Sequence, residues 1–278
     1  MRPAGAPDTP RSNPFVPVSV STARDALSAA VPALAAAGCE SPRLDAELLL
    51  ADAMGLDRGA LVTDPARGVP PAEARRFGES VRRRLAREPV AYILGRKGFR
   101  RIELAVDSRV LIPRPETELL VEVALELPQG ASVHDVGTGS GAVALALMDE
   151  RPDLGVTASD ASVAAVDVAR ANGLDVVHRS GWPVGTYDLV VANLPYVAEG
   201  EWGGLAPEIR GFEPREALVA GENGLDAIGA LVSEAPSGAA VALEHAPHQA
   251  GAVRRLLAEA QTVRDLAAHD RVTTGLVP

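Results

Sequence analysis

Between an apolar run, Ser132 to Val136, and an alanine-rich run opening at Ala142 lies the segment Gly137-Thr138-Gly139-Ser140-Gly141. Three glycines at alternate positions let the backbone turn tightly and approach a ligand closely, so the segment predicts a strand, a glycine turn and a helix in direct succession. The same alternation continues downstream. Short apolar strands and helical runs follow one another through Gly155 to Ser159, Val163 to Ala171, Tyr187 to Ala192, Leu225 to Val232, Ala239 to Leu243 and Gln249 to Ala260. Such a pattern predicts an α/β domain whose parallel sheet is flanked by helices.

The region before it reads differently. From about Val20 to Arg87 the apolar spacing is helical, clearest in Leu44, Glu47, Leu48 and Ala51 with Leu49 and Leu50 beside them. Breakers at Gly38, Gly55, Gly68 and Pro70-Pro71 divide it into a small helical bundle. Between Pro89 and Pro113 the period shortens to alternation, in Phe99, Ile102, Leu104 and Val106 and then Val110 to Ile112, which predicts a hairpin linking two domains. The first residues, MRPAGAPDTPRSNPFVP, have no continuous apolar core and read as a disordered proline-rich tail rather than an export signal.

Composition removes several function classes. Cys39 is the only cysteine, so no internal disulfide and no zinc pattern is expected, and the chain suits a reducing cytoplasm. No apolar run reaches the ~18 residues of a membrane helix. The formal net charge of -10 repels nucleic acid overall. A basic strip from Arg75 to Arg101 runs against that balance; it reads as the solvated face of a helix and its following turn, with a protein partner as the alternative user.

The N-terminus of a helix after a glycine turn presents unpaired N–H groups to an anion, such as the carboxylate of an amino-acid moiety. Asp160 ends the next strand about 20 residues past the turn, where an acidic side chain can accept both hydroxyls of a ribose. Gly137, Thr138, Gly139, Ser140, Gly141 and Asp160 are therefore candidate binders of a nucleoside cofactor. Asp135, at the strand end, is placed near that cofactor's amino group, and His134 reads as strand packing. Trp182 could lie against adenine, although a lone tryptophan also suits a core. Gly137-x-Gly139-x-x-Ala142 equally satisfies a relaxed dinucleotide fingerprint, so nicotinamide or flavin binding competes at this point.

A second segment separates the readings. The strand-like run Tyr187 to Ala192 ends in Asn193-Leu194-Pro195-Tyr196, at the carboxyl edge where ligands of such sheets bind. An amide or exocyclic amino nitrogen is a poor nucleophile because its lone pair is delocalised. A site helps by fixing its N–H groups on acceptors and aiming the lone pair at an electrophilic carbon, and Asn193 Oδ1 with the Leu194 carbonyl can do this from a turn stiffened by Pro195. Tyr196 would pack on the planar group, and no strong base is required, since the nitrogen becomes acidic as it gains a methyl group. The pair of segments thus nominates a methyltransferase acting on nitrogen with S-adenosylmethionine as cofactor; no metal is implied.

These residues resemble the PrmC/HemK family of protein-glutamine N5-methyltransferases. The likeness runs through Glu88-Pro89-Val90-Ala91-Tyr92-Ile93-Leu94-Gly95, Val110-Leu111-Ile112-Pro113-Arg114-Pro115-Glu116-Thr117-Glu118, the glycine turn, the Asn-x-Pro-Tyr turn and Glu222-Asn223-Gly224-Leu225-Asp226, with weaker likeness in Asp45 to Leu49 and Leu243-Glu244-His245. It implies a Rossmann-like class I methyltransferase domain over 113–278, preceded by a tail over 1–18, a helical substrate-docking domain over 19–88 and a β-hairpin linker over 89–112. It also implies that a translation release factor is the partner, methylated on the glutamine of its Gly-Gly-Gln loop by a cytoplasmic monomer needing neither nucleic acid nor membrane. Gly137 to Gly141, Asp160, Trp182 and Asn193 would bind cofactor, Asn193 to Tyr196 would hold the glutamine, and Arg114 and Glu116 would shape the pocket. Leu194 stands where the family usually has a proline. Asn-Leu-Pro-Tyr is also the string of ribosomal RNA adenine dimethyltransferases, so adenine N6-methylation remains one alternative and a non-catalytic release-factor-binding homologue another.

Overall fold

The computed structural model describes residues 22–278. The expected tail over 1–18 lies outside them. The chain divides into two compact units that meet in sequence between Ile93 and Leu94.

The first unit is helical. Helix α1 (Ala23–Ala36) begins at a capping box, in which the Thr22 hydroxyl accepts from Asp25 N–H and the Asp25 carboxylate accepts from Thr22 N–H, each at 3.2 Å. Helix α2 (Pro42–Met54) starts on a proline, whose missing N–H costs nothing there, and stops at Gly55 with φ +64. Helices α3 (Arg58–Thr63), α4 (Pro71–Leu85) and α5 (Val90–Leu94) follow. The core combines Ala26, Ala30 and Leu34 of α1 with Ala46, Leu49, Leu50 and Ala53 of α2 and Phe77 and Val81 of α4.

The helical spacing read in this run is a helix, and packing selects which of its positions are buried. Leu44 is exposed and Leu48 only partly buried, while Glu47 is buried and paired to Arg43 at 2.8 Å. Three consecutive leucines satisfy more than one helical register, so spacing alone does not select the buried one. Asp45, also buried, receives Arg84 Nε from α4 at 2.7 Å. Arg84 belongs to the basic strip, and much of that strip is likewise engaged internally: Arg83 with Glu88, Arg76 with the Ala53 carbonyl, Arg96 with Glu103, Arg100 with Glu150 and Arg101 with Asp149.

In the second unit, β1 (Arg96–Phe99) and β2 (Ile102–Ala105) form the expected hairpin, narrower than 89–112 because Val90–Leu94 is helical. The remaining strands are β3 (Ser132–Val136), β4 (Gly155–Asp160), β5 (Val177–His178), β6 (Leu189–Ala192), β7 (Ala240–Glu244), β8 (Ala258–Arg264) and β9 (Asp270–Leu276). They make one seven-stranded sheet in the order β5-β4-β3-β6-β7-β9-β8. The pairs from β5 to β7 are parallel, as expected, and β9 runs antiparallel between β7 and β8. All four residues of β6 are buried, which suits a strand covered on both faces.

Helices α6 (Glu118–Leu125), α7 (Ala142–Glu150), α8 (Val163–Ala171), α9 (Pro207–Phe212), α10 (Asp226–Glu234) and α11 (Ala250–Arg255) accompany the sheet. Ile228, Leu231 and Val232 of α10 pack with Val190, Ala192, Val241 and Leu243, while Ala144 of α7 and Val166 and Ala169 of α8 pack with Ala158. The run Gln249 to Ala260, read as one helix, is a helix only to Arg255, and Ala258 already pairs with Leu276. Pairing with a strand that follows it in sequence overrides the local helical preference of an alanine-rich segment. Among the described residues no helix is long and apolar enough to cross a membrane, and no group of three or more His, Cys, Asp or Glu could hold a metal ion.

Removing one partner of a buried ion pair leaves the other charge uncompensated. Asp45→Ala is expected to destabilise the helical unit by about 3 kcal/mol, read as a lowered urea midpoint; a midpoint equal to wild type would show the pair to be energetically idle.

Candidate active site

Strand order reverses where β3 and β6 lie side by side, so the loops leaving their carboxyl ends diverge and leave a crevice. A cavity of about 620 Å³ opens there, within the usual size of a small-molecule site. Gly137, Thr138, Gly139 and Ser140 line it, as do Asp160 and, from the loop after β6, Asn193, Leu194 and Pro195.

The turn is held by backbone and by one carboxylate. Gly137 and Thr138 N–H donate to the Ser159 carbonyl at 2.9 and 3.1 Å, which ties the end of β3 to the end of β4. Asp160 Oδ2 accepts from Gly139 N–H and Oδ1 from Ser162 N–H, both at 2.8 Å. Burial raises the Asp160 pKa, and these N–H donors only partly offset that. From behind, Asn172 Nδ2 donates to the Ser140 carbonyl at 2.9 Å while its Oδ1 accepts from Ala105 N–H at 2.8 Å, so one side chain spans hairpin and turn.

Two glycines are sterically required. At Gly137, with φ +72, an added Cβ would stand 3.1 Å from Leu194 Cδ2. Leu194, in the usual proline position, therefore packs against the glycine turn. Gly141, with φ +89, is the N-cap of α7 and does not line the cavity; a Cβ there would press on Leu145 and Leu174 at 3.1 Å.

Asp135 lines the cavity and is buried, with its Oδ2 accepting from the Thr138 hydroxyl at 2.6 Å. Burial pushes its carboxyl up to about 6. His134, on the same strand, bonds through its two ring nitrogens to the Thr157 and Ser159 hydroxyls at 2.7 and 2.9 Å. Burial pushes its pKa down to about 4, so the ring is neutral at physiological pH. Trp182 is not among the cavity-lining residues. It packs against the core cluster built on Val190 and Leu231, and its backbone N–H donates to Glu234, which does line the cavity.

Around the second turn, Asn193 Nδ2 donates to the Thr117 hydroxyl at 2.9 Å. Its Oδ1 takes no hydrogen bond among the described residues, leaving an acceptor on a cavity-lining side chain. Tyr196 lines a small adjoining pocket with Asn193 and Leu194 rather than the main cavity. Its hydroxyl donates to Glu244 Oε1 at 3.3 Å, and its carbonyl accepts from Gln249 Nε2 at 2.8 Å. Gln249 also reaches the Asn223 and Gly224 carbonyls, so the segment Glu222 to Asp226 is joined to the Asn193 turn. Arg114 lines the cavity and pairs with buried Glu213, which accepts from Ile112 N–H at 3.1 Å. Glu116 instead lies 3.6 Å from Arg271 of β9.

Thr117, Asn172, Glu213, Glu244 and Gln249 were not singled out from sequence for these positions. Thr117 and Glu244 fall inside the resemblance motifs, but only the tertiary fold brings them to the Asn193 turn, Glu244 through the pairing of β7 with β6 and Thr117 from the turn before α6.

Comparison with known proteins adds the following. The family described as PrmC N-terminal domain matches residues 25–95, and the methyltransferase small domain matches residues 115–202. A release factor glutamine methyltransferase of Xylella fastidiosa (strain Temecula1) is 43% identical over 267 residues, covering 88% of this chain and 97% of that protein. Proteins of the same name from Pseudomonas aeruginosa and Caulobacter vibrioides are 44% and 39% identical, over 84% and 90% of this chain and 92% and 95% of theirs.

Gly224 has φ +72, and a Cβ on it would stand 2.1 Å from the Tyr196 carbonyl oxygen, a backbone atom that cannot swing aside. Gly224→Ala is expected to cost about 2 kcal/mol in strain and overpacking, seen as a lower melting temperature; an unchanged melting temperature would contradict the closeness of these two loops.

Proposed function

Because the chain belongs to the release factor glutamine methyltransferase family, we propose that it transfers a methyl group from S-adenosylmethionine to the side-chain nitrogen of the glutamine in the Gly-Gly-Gln loop of a translation release factor. The observation that supports this most is the Asn193 amide, whose nitrogen is engaged by Thr117 and whose oxygen is left as an acceptor on the same cavity that the glycine turn and Asp160 line.

The residues fit that cofactor. The Asp160 carboxylate oxygens each take one backbone N–H and keep capacity for ribose hydroxyls. The N-terminal turn of α7 offers N–H groups to a carboxylate, and Asp135 offers an anionic acceptor to an ammonium group. S-adenosylmethionine, when bound, supplies an electrophilic methyl group on a positively charged sulfur.

Asn193 Oδ1 and the Leu194 carbonyl accept the two N–H groups of the glutamine amide. Holding both N–H groups fixes the amide plane and increases electron density on its nitrogen. This is positioning rather than base catalysis; the nitrogen becomes acidic as it gains the methyl group and loses its proton afterwards. Pro195 limits the turn's freedom, and Leu194 braces it against Gly137.

In this reading the helical domain over 19–88 docks the release factor, 89–112 is the linker and 113–278 is the catalytic domain. The protein works as a cytoplasmic monomer, and its net charge of -10 disfavours a nucleic acid partner. The deciding assay is methyl transfer from labelled S-adenosylmethionine to a purified release factor, beside its Gln→Ala loop variant and a ribosomal RNA. Label on the wild-type factor alone supports the proposal; label on RNA would replace it with adenine methylation.

Asn193→Ala is expected to lower kcat by about a hundredfold to a thousandfold, the range for one preorganised hydrogen-bond partner; near-wild-type turnover would reject the assigned role. A second expectation concerns pH. With its carboxyl near 6, Asp135 is an anion above that value and neutral below it. Cofactor affinity by calorimetry should fall as pH drops through about 6, to roughly a tenth at pH 5 of its value at pH 8. Asp135→Asn should bind weakly at both values. A pH dependence that persists in this variant would transfer the effect to Asp160.

A further inference from the structure

Helix α10 turns one face to the cavity: Ala227, Ala230, Leu231 and Glu234, at helical spacings of three and four, all line it. The first three are apolar. The helix follows the segment that Gln249 joins to the Asn193 turn, so its first residues lie at the Asn193 end of the cavity. Glu234 is its last residue, seven positions beyond Ala227 and hence about 10 Å farther along the axis. Its carboxyl serves the opposite end of the cavity, away from the Asn193 turn.

The loop after β5 meets Glu234 there. That loop starts beside Asp160, whose carbonyl accepts from Arg179 N–H at 2.8 Å, and Arg179, Ser180 and Gly181 line the cavity in turn. At Trp182 both backbone groups are held: the carbonyl accepts from Arg179 Nε and the N–H donates to Glu234 Oε2, each at 2.9 Å. Gly181, with φ +77, leaves the space of a side chain to the Glu234 carboxyl, since a Cβ there would fall on Oε2. Glu234 Oε1 takes no hydrogen bond, and the carboxyl no ion pair, among the described residues. One oxygen is committed to the loop, and the other is an acceptor on a cavity-lining side chain.

The two ends of an adenosyl cofactor part at its ribose. With the ribose on Asp160, the amino-acid end belongs to the glycine turn and the N-terminus of α7, and the base is left to the loop that follows β5. Adenine has a flat apolar body and one exocyclic amino group, a hydrogen-bond donor. Ala161, Ala165, Ala230 and Leu231 supply apolar walls, and Glu234 supplies an acceptor. We propose that Glu234 is the residue that selects adenine: Oε1 accepts an N–H of the 6-amino group while Oε2 stays on the Trp182 N–H. The proposal rests on the S-adenosylmethionine reading given above. It places base selection on α10, apart from the elements that hold the ribose and the amino-acid end. A base with hydrogen in place of the amino group covers the carboxylate without giving it a donor, which is the costly condition for a polar group.

The test is calorimetric and needs no turnover. S-Adenosylhomocysteine is compared with its 6-deamino analogue, in which hydrogen replaces the amino group. Wild type is expected to bind the amino compound about tenfold to a hundredfold more tightly, the weight of a hydrogen bond to a charged group. In Glu234→Ala the two compounds should bind within about twofold of each other.

Glu234→Gln separates recognition from bracing. Its amide oxygen has to stay on the Trp182 N–H, because its NH2 cannot accept, so it turns a donor toward the amino group of the base. Affinity for the 6-deamino compound should then remain at the wild-type level while the preference for the amino compound disappears. A wild type without preference, or a preference kept in either variant, overturns the proposal. So does a loss of affinity for both compounds alike, which would make Glu234 a brace for the Trp182 loop. A wild type that binds neither compound refutes the cofactor reading and this proposal with it. The expected ratios in a protein that methylates no release factor uphold the role of Glu234 and refute the glutamine reading alone.

Discussion

Strand β3 is paired in parallel on both sides, by β4 and by β6, and the site follows from that placement. Connections from β3 to β4 and from β6 to β7 travel in opposite directions across the sheet, so nothing bridges the gap above the β3 and β6 carboxyl ends. The glycine turn then has to be anchored sideways. It is anchored to β4, through the Ser159 carbonyl and the Asp160 carboxylate, and to the hairpin through Asn172. A turn with three residues at positive φ keeps one shape because these bonds over-determine it.

The acids along this carboxyl edge behave alike. Asp135, Asp160 and Glu244 are all buried, and burial raises all three pKa values, to about 6 for Asp135 and about 7 for Glu244. Exposed carboxylates supplied with donors, Asp107 by Arg109 and Asp188 by the Ser132 N–H and hydroxyl, are shifted downward instead. The two groups have opposite effects on folding. A lowered acid stabilises the fold above its ordinary pKa, whereas a raised one withdraws stability as pH climbs toward neutrality. The site therefore opposes the rest of the fold near neutral pH, a pattern expected where side chains are arranged for binding.

What could be read in the sequence was local. A glycine turn, the acid ending the following strand and an asparagine-proline turn announce themselves because residues within a few positions of one another impose the geometry. The helix α2 was legible but its buried face was not, since Leu48, Leu49 and Leu50 fit several faces and only packing against α1 and α4 chooses. The stretch after Arg255 failed because its partner strand, β9, comes later in the chain. Glu244 and Gln249 were illegible as site residues for that reason as well. A glutamate and a glutamine read as solvent-facing until the sheet buries them against Tyr196 and the segment around Gly224.

Leu194 carries the argument one step further. Proline at that position would restrict the turn through its own ring, a restriction on φ that needs no neighbour. Leucine has no such ring, and its side chain reaches the space over Gly137 and the core cluster around Val190. Rigidity that would have been intrinsic to one turn thus becomes a contact between two. The consequence is coupling: the turn after β6 and the glycine turn lie against each other where Leu194 covers Gly137, so displacement of either is felt by the other. Gly137 is consequently held to glycine twice, by its own backbone angle and by the leucine lying across it.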